Sequence, residues 1–229
     1  MKLPARPVRL LAISDEPDRA LEFERNREAL GKLDAVVGCG DLEPDYLSFL
    51  ADAFRVPLVY VRGNHDRGAN WDVERDALPS GLTGTSERIA GVTFIGLPWP
   101  GKEHHAPALR DDLAAWRQAV RAAARPRAAG PVVVLSHAPP RGLGDTPEDH
   151  YHRGFEAYHW LCRRVHPVLW LHGHTSLAAN PEWRVKWGAT TLVNVTGAVL
   201  VELGVDQTTR PGAVMPGATI GARGAAGST

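Results

Sequence analysis

Short apolar runs recur along the chain, and most carry apolar residues at successive positions instead of alternating with polar ones. Val8–Ser14, Asp34–Cys39, Val56–Val61, Pro131–Ser136 and Val168–Leu171 all have this form. Such runs predict strands buried on both faces, as in a parallel sheet covered by helices. The segments between them carry helical signals. Arg19–Leu30 is predicted helical, with Asp18 as N-cap and Gly31 as stop. In Pro44–Phe54 the residues Leu47, Leu50 and Phe54 share one face, and Pro44 suits a first turn. The resulting β-α-β-α-β order predicts parallel strands joined by right-handed crossovers.

Further along, residues 67–86 read as an irregular loop with some short helix. Ser86–Ile89 and Val92–Leu97 flank Ala90-Gly91 as a hairpin that leads into Pro98-Trp99-Pro100-Gly101. Ala106–Ala124 is predicted helical and is ended by Pro126. A polar loop over Ala138–Arg153 precedes a helix at Gly154–Val165. Trp183–Trp187, Thr190–Val195 and Ala198–Leu203 predict a second, antiparallel-leaning sheet. From Asp206 the composition turns to Gly, Ala, Thr and Pro without periodicity. Residues 1–205 are therefore expected to form a single domain, and 206–229 a disordered tail.

Composition narrows the function more than the fold. The chain is 44% apolar and 23% charged with zero formal net charge. It carries no basic excess to favour nucleic acid or an anionic membrane. It contains no apolar run long enough to cross a bilayer, and because Met1–Arg6 leads directly into the first strand no signal peptide is expected. Two cysteines, Cys39 and Cys162, are too few for a disulfide framework, so a cytoplasmic location is expected.

The chemistry sits where the apolar runs stop. They end in Ser14-Asp15, Cys39-Gly40-Asp41, Gly63-Asn64-His65-Asp66, Ser136-His137 and His172-Gly173-His174. Ligands of open α/β sheets bind at the carboxyl ends of strands. Five such ends carrying carboxylate, amide and imidazole groups therefore predict one shared site. In order and spacing, from Leu10 to Thr175, these blocks resemble the calcineurin-like metallophosphoesterase superfamily. The resemblance implies a four-layer α/β/β/α sandwich of two mixed sheets and a metal-dependent hydrolase of phosphomonoesters or phosphodiesters. It implies two divalent ions, of a kind that mixed imidazole and carboxylate ligands suit: Mn, Fe, Zn or Ni. Asp41 would bridge them, with Asn64, His137 and His172 on one and Asp15 and His174 on the other. A metal-bridging hydroxide would be the nucleophile acting on a small phosphoester. His65 would be the proton donor to the leaving oxygen, a role suited to imidazole. Asp66 would orient the loop or that imidazole.

Two positions depart from the superfamily pattern. Its first block is usually Asp-x-His, whereas this chain has Asp15-Glu16-Pro17, and proline has no side-chain donor. Glu16 or Asp18 is a possible replacement, or Asp18 simply caps the helix. The Asp often found three residues beyond the bridging Asp is Pro44 here, with Glu43 and Asp45 beside it. The altered first block keeps a second function open, a scaffold or regulatory module on the same fold; the retained His65 speaks for the enzyme. His104, His105, His150 and His152 lie in loops able to overhang the site, while His159 and His166 belong to helix surface.

Overall fold

The computed structural model describes residues 6–68, 71, 78–79, 81–101, 109–125 and 129–204. Within them, every apolar run expected to be a strand is one. The first sheet contains β1 (Val8–Ser14), β2 (Ala35–Gly38), β3 (Leu58–Tyr60) and β10 (Gly197–Leu203), in the order β10-β1-β2-β3. The second contains β4 (Ser86–Ile89), β5 (Val92–Leu97), β6 (Val132–Ser136), β7 (Leu169–His172), β8 (Arg184–Trp187) and β9 (Thr190–Asn194), in the order β4-β5-β6-β7-β9-β8. Strands β1, β2 and β3 run parallel, as do β5, β6, β7 and β9.

Two-sided burial explains the unbroken apolar runs. In β1, Leu10 and Ala12 enter the layer between the sheets, where they meet Phe94, Leu135 and Leu171 of the second sheet. The alternate residues Leu11 and Ile13 face outward onto Leu47 and Leu50 of α2 (Pro44–Phe54). In β7, Leu169 and Leu171 point between the sheets, and Trp170 packs outward against α4 (Glu156–Val165) beside α3 (Leu109–Ala124). Each fully buried Leu or Val contributes roughly 1.5–3 kcal/mol relative to exposure. The α/β/β/α layering follows from these three apolar layers. Among the described residues no helix is long and apolar enough to cross a membrane.

Two expectations need correction. Trp183–Leu203 does not make a sheet of its own. Strand β8 pairs antiparallel with β9, but β9 joins β7 in parallel, and β10 crosses back to pair antiparallel with β1. Gly197 (φ 79°) turns the chain, and Val199, Val201 and Leu203 then face the layer between the sheets. The segment after Asp18 is also not one helix. A 3-10 turn (Arg19–Glu22) is separated from α1 (Glu24–Leu30) by Phe23, which is extended (φ −88°, ψ 124°). The Asn26 and Arg27 side chains reach back to the carbonyls of Ala20, Leu21 and Glu22, closing the break. The expected tail at 206–229 lies outside the described residues, as do His104, His105 and most of the loop before β4.

Candidate functional site

The carboxyl ends of β1, β2, β3, β6 and β7 meet along one rim, so residues far apart in sequence converge there. Short backbone ties hold them in register. Asp15 N–H donates to the Gly40 carbonyl (3.1 Å), and Gly173 N–H to that of His137 (3.0 Å). Between the sheets, Trp99 N–H donates to the Arg62 carbonyl (2.8 Å). The Ser14 hydroxyl spans the Cys39 and Gly40 carbonyls at 3.0 Å each.

Asp15, Asp41 and His137 each offer a donor atom within 4.8 Å of the others, a group able to hold a cation. His137 is fully buried, and its two nitrogens are differentiated. Nδ1–H donates to the Cys39 carbonyl (2.9 Å), while Nε2 faces Asn64 Oδ1 (2.8 Å) and Asp41 Oδ2 (3.3 Å). A carbonyl on one ring nitrogen is how proteins aim the other at a metal. The oxygens around Nε2 form a negative cluster that suits either a proton or a divalent ion. Burial alone would lower the His137 pKa, but hydrogen bonding to Asp41 and the charges of Asp41 and Asp15 raise it to about 9. The Asp41 carboxyl is held below its usual range: burial pushes it up, and His137 overrides that.

The remaining expected residues surround this group. Asn64 is buried against His137. The His65 backbone N–H donates to Asp41 Oδ1 (2.8 Å), and its ring Nε2 lies 3.9 Å from Asp41 Oδ2. His174 N–H grips both Asp15 oxygens at 3.1 Å, and its ring stands 4.8 Å from that of His137. The Asp66 carboxylate accepts from the backbone N–H groups of Asp41 (2.8 Å), Leu42 (3.1 Å) and Gly63 (2.6 Å). It thereby pins the two loops that carry Asp41, Asn64 and His65 to each other. Burial raises its pKa to about 6 despite these bonds. His172 lies outside the converging trio; its Nδ1 is 3.1 Å from the Gly173 carbonyl, and burial lowers its pKa to about 4. Burial likewise takes His174 down to about 3, assisted by His137. Glu16 is exposed and takes no part in the trio, while Asp18 caps the 3-10 turn by accepting from Ala20 N–H (2.9 Å).

The backbone here is shaped for close approach. Asp15, Asp41 and His174 all have positive φ (61°, 56° and 67°), a strained region for non-glycine residues that concentrates at functional sites. Gly40 has φ 94°, and a Cβ there would sit 2.6 Å from His137 Nδ1. A Cβ on Gly63 would run into the Asp41 carboxylate, and one on Gly173 into Ser14 Oγ and Asp15 Oδ2.

Two participants, Thr196 and Trp99, were not singled out by sequence. The Thr196 hydroxyl donates to Asp15 Oδ2 (3.1 Å). Trp99 packs its ring 4.9 Å from that of His174 and 6.2 Å from that of His137. Its place at the exit of β5, beside the other reactive strand ends, was the available signal. Trp99 also walls a neighbouring cavity of about 450 Å³ that Arg62, Arg67, Trp71 and Asp66 help to line. The Arg62 guanidinium lies over the Trp71 ring (4.5 Å). Cys39, a buried thiol whose pKa burial pushes well up, serves the site through its carbonyl.

The sequence model of the calcineurin-like phosphoesterases matches residues 19–176. No curated protein matches by sequence. Among solved structures, the phosphopantetheinyl hydrolase PptH from Mycobacterium tuberculosis superposes with TM-score 0.53 at 15% identity, covering 92% of this chain and 100% of that one. The protein TT1561 of Thermus thermophilus gives 0.52 at 17% identity, covering 85% and 93%. A dimetal phosphatase from Danio rerio gives 0.50 at 11% identity, covering 88% and 96%. At these identities the likenesses establish the shared fold.

Proposed function

Since the chain belongs to the calcineurin-like phosphoesterase family, we propose that it is a metal-dependent hydrolase of small phosphomonoesters or phosphodiesters. The observation that carries this reading is the convergence of Asp15, Asp41 and His137, with Nδ1 of His137 tied to the Cys39 carbonyl so that Nε2 faces the cluster. Asp41 would be shared by the two ions. Asn64, His137 and His172 would hold one divalent ion, and Asp15 with His174 the other. Bound there, such ions supply positive charge for phosphoryl oxygens and activate water against phosphorus.

The chain's own groups account for the rest. His65 stands at the mouth of the site with its ring largely exposed, within reach of an entering ester, and would protonate the leaving oxygen. Asp66, fully engaged by backbone N–H groups, acts as a positioning residue for Asp41 and His65. The adjoining cavity provides room for the non-reacting part of the ester, with guanidinium and indole walls suited to an anionic or flat group.

Hydrolysis of p-nitrophenyl phosphate and bis-p-nitrophenyl phosphate, measured across Mn, Fe, Zn and Ni, tests the proposal. Turnover that depends on metal and disappears in Asp41→Ala supports it; no turnover with any metal overturns it. A second reading, a scaffold with a weakened ion shell, is favoured by the exposure of Glu16 and the capping role of Asp18, which leave the Asp15 side without a donor from its own loop. A protein that binds metal only weakly and turns over neither ester would select it.

A further inference from the structure

An ion held between Asp15 and Asp41 finds no nitrogen ligand in the residues directly after Asp15. Glu16 is exposed, Pro17 has no donor, and Asp18 Oδ1 is bonded to Ala20 N–H. The imidazoles that crowd this side come from other segments. His174 Nε2 is 2.8 Å from the Tyr151 carbonyl, which makes Nε2–H the donor and leaves Nδ1 as the free lone pair. The next residue in that loop, His152, sets its ring 5.1 Å from the His174 ring, at 46°.

We propose that His152 is a metal ligand, binding through Nε2 the same divalent ion as Asp15, Asp41 and His174, with Asp149 orienting its ring. Three features support the assignment, which rests on the reading that the cluster holds divalent ions. First, His152 Nδ1–H donates to Asp149 Oδ2 (2.5 Å), which leaves Nε2 as the ring nitrogen turned away from that carboxylate. A carboxylate behind an imidazole is the usual outer partner of a metal-bound histidine. Nε2 itself has no hydrogen-bond partner among the described residues. Second, the spacing fits. Two imidazoles bound to one ion at about 2.1 Å with a near-tetrahedral angle place their ring centroids roughly 5 Å apart. Third, the loop is fastened in place. Asp145 accepts from Gly142 N–H (2.9 Å) and Gly154 N–H (3.0 Å), Asp149 accepts from Tyr151 N–H (2.8 Å), and Thr146 N–H donates to the His152 carbonyl (3.2 Å). The loop's position is therefore built, not incidental.

Chelator-stripped protein titrated with Mn²⁺, with metal counted per chain and pulsed EPR reading the imidazole nitrogens coupled to Mn²⁺, tests the proposal. Wild type, His152→Ala, Asp149→Asn and Glu16→Gln are compared. The His152 side chain is 39% exposed, so its removal leaves the fold intact, as an unchanged melting temperature of the stripped protein would verify. His152→Ala is expected to bind one ion at least tenfold more weakly, with one fewer coupled imidazole nitrogen. Asp149→Asn is expected to weaken the same ion to a smaller extent, and Glu16→Gln to change nothing. Unchanged Mn²⁺ affinity and nitrogen coupling in His152→Ala, or the loss appearing in Glu16→Gln instead, overturns this assignment alone. A wild-type protein that takes up no Mn²⁺ overturns both it and the metal reading beneath it.

Discussion

Loading the site with metal has to remove a proton from His137. Both of its ring nitrogens face acceptors: the Cys39 carbonyl on one side, Asn64 Oδ1 and Asp41 Oδ2 on the other. With its pKa raised to about 9, the ring is an imidazolium at neutral pH, and a cation at Nε2 competes with that proton. At pH 7 the competition weakens apparent metal affinity by about 100-fold, on the order of 3 kcal/mol. The apparent association constant for Mn²⁺ is therefore expected to rise about tenfold per unit between pH 7 and 9 and to level off above. Uptake at pH 7.5 should release about one proton. His172 and His174, pushed down by burial to about 4 and about 3, carry no proton to release in this range. Stability of the stripped protein follows the same linkage. Because the folded pKa is raised above the ordinary 6.5, the His137 contribution is fully present below pH 6.5 and is lost as pH rises through 9, on the order of 3 kcal/mol in all. Calorimetric titration at pH 7, 8 and 9, in buffers of different ionisation enthalpy, reads both affinity and proton release. A flat affinity across that range, with no proton released, would refute the reasoning.

Gly63→Ala places a Cβ against the Asp41 carboxylate and 2.8 Å from the Asp41 nitrogen, so metal affinity should fall more than tenfold and stability by about 1–3 kcal/mol, measured by titration and thermal melting. Asp66→Asn puts an amide NH₂ where a backbone N–H now finds an acceptor; urea denaturation should show a loss of about 1–3 kcal/mol, and a mutant as stable as wild type would remove Asp66 from its positioning role. His65→Ala should leave stability within about 0.5 kcal/mol, because its ring is 63% exposed. Its kcat on an alkyl phosphoester should drop by about 10²–10⁴-fold, and much less on p-nitrophenyl phosphate, whose leaving oxygen departs without a proton.

The strand positions were legible because two-sided burial writes itself as unbroken apolar runs, and the rim because each run is followed within three residues by Asp, Asn or His. Pairing was less legible. The alternation Val199, Val201, Leu203 declares a strand with one buried face but does not say which sheet it joins. That choice depends on Gly197 turning the chain back toward β1. The break at Phe23 was hidden because the side chains that close it come from the following turn. Thr196 reaches the site through a contact across a large sequence separation, which local spacing does not encode, whereas the loop of His152 was legible as one able to overhang the site. Asp18 was legible as a cap, and in the structure it has that role.

The donors come from both sheets, so their separation is set by what joins the sheets. Asp15, Asp41 and Asn64 ride on the first sheet, and His137, His172 and His174 on the second. Four of the ties that cross the gap run from His137 Nδ1 to the Cys39 carbonyl, from His174 N–H to Asp15, from Trp99 N–H to the Arg62 carbonyl, and from the Thr196 hydroxyl to Asp15. Three of these four end on a candidate ligand or on the carbonyl that orients one. A sideways slip of one sheet over the other would break them and separate His137 from Asp41 together. Close packing of Leu10, Phe94, Leu135 and Leu171 between the sheets resists such a slip, since interiors at crystal-like density have little free space to accommodate it. The apolar layer thus holds the polar rim in place, and the same two-faced strands provide both.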